Sequence, residues 1–169
     1  MKKLLSATLV AASLAMAAPA MADSAGTQVN MPAANWLFVQ AADSVTVDGN
    51  KIVLKGVAPQ TVMFTDRPER MTGDTTTAGF VKLWNDGKDS FQKDPPNATL
   101  SVTADGTTKA FVVELTDPSL SGDTLTYTYK VLGTEAPVSG EAASLFIDWW
   151  YAAPGRCVRG PYGGLHCGW

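Results

Sequence analysis

Across residues 124–132 the chain alternates without a slip. Leu125, Tyr127, Tyr129 and Val131 fall on one side, and Thr126, Thr128 and Lys130 on the other. A period of two sends successive side chains to opposite faces, so this segment reads as an antiparallel strand with one buried face. Such a strand is not stable alone. It needs hydrogen-bonding neighbours and an apolar layer against its buried side.

The rest of the chain offers both. Residues 36–40 form a short apolar run, and Val45 and Val47 alternate around Thr46. Asp48-Gly49-Asn50 is a hairpin signal, after which Ile52, Val53 and Leu54 return. Residues 61–65 read as another strand. Residues 100–103 and 111–115 flank Ala104-Asp105-Gly106, a second hairpin that Asp117-Pro118 is expected to end. Residues 144–150 form the last strand. Between these segments, Phe80, Leu83 and Trp84 stand at i, i+3 and i+4 and so share one helix face. Thr76 or Thr77 serves as N-cap and Gly87 closes the helix. About seven short strands with turn signals between them predict a mostly β fold. The expected form is an antiparallel β-sandwich, Ig-like in architecture, with one short inserted helix and a disulfide-stapled C-terminal tail. An eight-stranded outer-membrane barrel fits less well, because the helix, Pro95-Pro96 and the tail interrupt it.

The first 22 residues belong to a different physical class. Lys2 and Lys3 precede an uncharged stretch rich in Leu, Ala and Val, and Ala20-Met21-Ala22 is an A-x-A cleavage signal. Residues 1–22 are therefore expected to be a signal peptide, with Asp23 as the mature N-terminus. Residues 23–34 read as a flexible arm, 35–151 as the β domain and 152–169 as a Gly-rich tail. The two lysines leave with the leader, so 147 residues remain with 11 basic and 16 acidic side chains and a formal charge of −5. That balance argues against a nucleic-acid binder, which needs a basic footprint. No later apolar run is long enough for a transmembrane helix. A periplasmic or secreted bacterial protein is expected. Cys157 and Cys167, the two cysteines, then read as a disulfide closing a short loop. His166 beside Cys167 offers a third donor for a metal, but adjacent residues are poorly spaced for one ion. No metal and no cofactor are expected.

Phe64-Thr65-Asp66-Arg67-Pro68-Glu69-Arg70, Ser90-Phe91 with Asp94-Pro95-Pro96-Asn97-Ala98, and Ser144-Leu145-Phe146-Ile147-Asp148 form a distinctive set. With Trp84 and Leu100-Ser101, they resemble a family of small exported bacterial proteins that has no assigned activity. The resemblance covers roughly residues 36–148. It implies one compact domain and brings no catalytic residues with it.

Common catalytic signatures (the P-loop, H-E-x-x-H and G-x-S-x-G) are absent from the sequence. Two candidate sites remain. Asp66, Arg67, Glu69 and Arg70 cluster after a strand, and the arginines offer planar forks for an oxyanion. They read either as an anion or paired-carboxylate site, or as structural ion pairs holding Asp94 or Asp148. Asp148 alternates onto the face of Phe146 and Trp150, and a carboxylate buried there needs Arg67 or Arg70 as partner. The second candidate is an aromatic patch from Trp150, Tyr151, Tyr162 and Trp169, with Arg159 beside it, for a glycan or protein of the cell envelope. The expected function is non-catalytic binding. The alternatives are a small hydrolase or lyase using residues 66–70, and a structural envelope protein.

Overall fold

The computed structural model describes residues 27–30, 32–87, 90–152, 156–159 and 165–168; for 27, 149–152 and 156 it describes the backbone only. In chain order the strands are β1 (Thr27–Val29), β2 (Ala34–Asp48), β3 (Lys51–Lys55), β4 (Gln60–Thr65) and β5 (Thr72–Thr76). Helix α1 (Thr77–Leu83) follows, then β6 (Asn97–Ala104), β7 (Thr107–Ser121), β8 (Thr124–Val131), β9 (Gly140–Ala152), β10 (Arg156–Arg159) and β11 (Leu165–Gly168). The chain is mostly β and mainly antiparallel, with one short helix and a Cys157–Cys167 disulfide in the tail. Among the described residues there is no helix long and apolar enough to cross a membrane.

β2 organises the molecule because it pairs on both edges. Along one edge it meets β9, from Ala34 opposite Ala152 to Val45 opposite Gly140. On the other edge its first half pairs with β4 and its second half with β3. From β3 the ladder continues through β8, β7 and β6 and returns to β9. Six strands thus close into a ring. From β4 a wing extends through β5, β11, β10 and β1. Pairing is unbroken through all eleven strands, so hydrogen bonds join the layers expected of a sandwich.

Two departures from the expected strands have local causes. Residues 36–40 and the Val45/Val47 segment are one strand, because polar Gln40 faces inward and is satisfied there. Pro118 does not end β7. Pairing with β8 shifts register between Thr116 and Ser119, and a bulge needs no ladder N–H from the proline. The hairpin turns lie where Gly49, Asp105 and Gly106 adopt positive φ.

Inward positions of the ring carry the core, including Trp36, Phe38, Leu100, Leu115, Leu125 and Leu145. α1 has seven residues and cannot stand alone. Thr76 caps it, its Oγ1 accepting from Gly79 N at 3.0 Å. Its buried face docks Phe80 edge-on to Phe38 at 4.9 Å, and the adjoining Trp84 lies 5.6 Å from Tyr127 and 4.9 Å from Phe91.

One polar chain crosses this apolar interior. Tyr127 donates its hydroxyl to Gln40 Oε1 at 2.9 Å, and Gln40 Nε2 donates to Thr61 Oγ1 at 3.2 Å. Thr61 and Thr77 share a bond of 3.1 Å, and Thr77 donates to the Ala58 carbonyl at 2.7 Å. Because the Thr77 proton is committed to that carbonyl, Thr61 is the donor between the two threonines. All four side chains are buried. Burial pushes the Tyr127 phenol far above its ordinary range, with the bond to Gln40 pulling weakly the other way.

Candidate functional site: the outer face and the Asp74–His166 pair

The register of the ladders aligns residues from nine strands in one cross-strand row. Val112 of β7 lies opposite Thr99 of β6, Thr99 opposite Phe146 of β9, and Phe146 opposite Val39 of β2. Val39 then faces Val62 of β4, Val62 faces Asp74 of β5, and Asp74 faces His166 of β11. Val158 and Gln28 complete the row. These positions alternate with the buried ones, so the row lies on the outer surface. Phe146 is 47% exposed, Val62 49% and Val112 44%. Leu37 and Phe64, paired with each other and half-buried, widen the apolar strip by one row. Beside it, Leu37, Asn97, Thr99, Val112, Phe146 and Asp148 help line a surface groove of ≈ 220 Å³. A single exposed apolar residue is ordinary, whereas several in one cross-strand row make a candidate contact surface.

The strip ends at a polar pair. His166 Nδ1 lies 2.9 Å from Asp74 Oδ1. A carboxylate only accepts, so Nδ1 carries the proton and Nε2 is the ring atom left for solvent or a partner. Three features set this geometry. β11 runs parallel to β5 with His166 directly opposite Asp74. Cys157 and Cys167, opposite each other in the β10–β11 hairpin, are bonded and buried. Gly73 lets the strands approach, since a Cβ there would sit 2.5 Å from the Leu165 carbonyl oxygen and 2.8 Å from its Cβ. An imidazole oriented in this way can accept a hydrogen bond from a cationic donor or assist a proton transfer. Among the described residues no cluster of three or more metal-ligating side chains occurs.

The residues singled out in the sequence fare differently. Asp66, Arg67, Glu69 and Arg70 lie together on the β4–β5 turn, where Arg70 N bonds the Asp66 carbonyl at 3.0 Å. All four are exposed, and among the described residues none of their side chains joins an ion pair. Asp148 shares the face of Phe146, as alternation requires, but that face is the outer one. Asp148 is exposed there, and among the described residues the expected ion pair with Arg67 or Arg70 is absent. Trp150 and Tyr151 continue β9, their backbones paired with Trp36 and Asn35. Arg159 is exposed on β10 opposite Leu165. Tyr162 and Trp169 lie outside the described residues.

Sequence reasoning missed Asp74. TGDTT has no apolar residue, and its strand character comes from having β4 on one side and β11 on the other. The alternation of Leu145, Phe146 and Ile147 was the one sequence signal for the outer strip. Compared with protein-family models, curated proteins and solved structures, the chain matches none, so its function is read from this surface itself.

Proposed function

We propose that this is an exported β domain of the cell envelope that acts by binding, without catalysis of its own, and that its contact surface is the outer face of β4, β2, β9, β6 and β7. The observation that carries this reading is the registered strip of Val62, Val39, Phe146 and Val112, in which three of the four side chains are exposed. Strands are spaced about 4.8 Å apart, so five of them make a strip roughly 19 Å long. That is the scale of the apolar centre of a protein contact. Export is supported by the leader pattern of residues 1–22 and by the disulfide. The exposed strip residues are two valines and one phenylalanine, which favours a protein over a glycan, for which stacking aromatics would be expected.

The test is site-specific photo-cross-linking in cells that make the protein. A photoreactive side chain at position 146 should give discrete adducts, and one at Lys51, exposed on β3, should not. Identical adducts at both positions, or none at 146, would refute the reading.

A further inference from the structure

The charges around the strip are one-sided. The six strands β5, β4, β2, β9, β6 and β7 carry seven acidic residues and one basic residue, Lys109. Lys109 sits near the hairpin end of β7, opposite Val102 and on the other parity from Val112. Three of the acids border the strip directly. Asp74 continues the row beyond Val62, Asp148 lines the groove beside Phe146, and Glu114 follows Val112 on the same face. Lys130 approaches Glu114 at 3.9 Å from β8, but its side chain is 72% exposed. A pair that solvated holds its partner weakly. The other basic residues of the described chain lie on β3, the β4–β5 turn, α1, the loop before β6 and the tail.

An apolar strip with an acidic border selects by sign. We infer that the occupant of this face is a cationic amphipathic segment of another polypeptide, with apolar side chains over Val62, Phe146 and Val112 and lysines or arginines towards Asp74 and Glu114. This inference rests on the binding role proposed above and adds the chemical class of the partner. Apolar contact supplies the affinity, and opposite charge supplies register and fast encounter. A second copy of this chain is disfavoured, since a face-to-face pair would oppose carboxylate to carboxylate. At the wing end, Nδ1 of His166 is taken up by Asp74, which leaves Nε2 as the ring nitrogen that can face the occupant.

The experiment uses the oxidised protein and three synthetic peptides of equal length. One is an amphipathic Lys/Leu helix former, one its Glu/Leu counterpart, and one a Lys/Ser peptide of the same charge without an apolar face. Binding is read by fluorescence anisotropy and located by amide chemical shifts. The Lys/Leu peptide should bind, with shifts centred on Val39, Val62, Thr99, Val112 and Phe146. Phe146→Thr keeps a β-favouring residue at an exposed site and should weaken binding by about tenfold or more. Added salt should weaken it further. The Glu/Leu and Lys/Ser peptides should bind far more weakly. Equal binding of the Glu/Leu peptide on the same residues would overturn the cationic class while leaving the contact face standing. Binding of the Lys/Leu peptide away from the strip, or indifference to Phe146→Thr, would overturn both. No binding of any peptide, with concentration-dependent self-association that Phe146→Thr abolishes, would make the occupant a second copy. No binding without self-association would also overturn the inference.

Discussion

Tyr127→Phe removes one oxygen atom from the centre of the core, and the structure fixes what that costs at two values of pH. At neutral pH the variant loses the 2.9 Å bond to Gln40 Oε1 and leaves that buried acceptor unsatisfied. The expected loss is about 2 kcal/mol, within the usual range of roughly 1–3 for an orphaned buried group. At high pH the sign of the difference changes. Burial raises the folded-state pKa of Tyr127 far above the unfolded value of about 10. Above that value the unfolded chain releases a proton that the native state keeps, so native stability falls as pH rises. The contribution is fully present below pH ~10 and is lost at about 1.4 kcal/mol per unit above it. Phenylalanine has no such proton. The gap between wild type and variant should therefore shrink from about 2 kcal/mol at pH 7 to roughly 0.6 at pH 11, and reverse near pH ~11.5. Urea titrations followed by tryptophan fluorescence, with Trp36 and Trp84 buried as reporters, measure both proteins at each pH. Taking the difference cancels the other titrating groups, which the two proteins share. A gap that stays constant from pH 7 to 11 would refute the burial argument. A gap near zero at pH 7 would refute the hydrogen-bonded chain. Gln40→Leu is an independent check. It strands the Tyr127 hydroxyl, and combining it with Tyr127→Phe should recover part of the loss rather than add to it.

Replacing both Cys157 and Cys167 by alanine opens a loop of sequence separation 10. It should cost about 3 kcal/mol at most, with hydrogen-exchange protection lost first in β10 and β11 while the ring strands keep theirs. Gly73→Ala should push β11 off β5, since the new methyl meets the Leu165 backbone. The His166 ring resonances would then move to exposed positions in NMR spectra; unchanged resonances would show that the wing adapts without losing the Asp74 contact.

What could be read beforehand was whatever depends on near neighbours in sequence. The alternation around Tyr127, the Gly49 and Asp105-Gly106 turns, the Thr76 cap and the Phe80, Leu83 and Trp84 face are all local, and the structure has them. The missed features depend on distant partners. The run over residues 36–40 was expected to end at Gln40, but β2 continues through it, because Gln40 is satisfied inside by Thr61 and Tyr127, 21 and 87 positions away. Asp74 and His166, 92 positions apart, meet only because β11 joins the sheet in parallel. For Asp148, alternation separated the two faces correctly, but no short-range signal says which face of a two-sided apolar strand looks outward. The acidic border of the strip was hidden for the same reason, being assembled from several strands.

The closing seam of the ring joins its first strand to its last, with Ala34 opposite Ala152. The local hairpins β2–β3, β6–β7 and β7–β8 can form as they emerge, but none encloses the core. The core becomes watertight only after nearly the whole chain has been synthesised, and pairings this remote in sequence form slowly. For a chain exported as proposed above, late closure is useful. The polypeptide stays threadable until its end is through, and the same seam that delays folding then makes reopening a concerted event rather than the peeling of one strand.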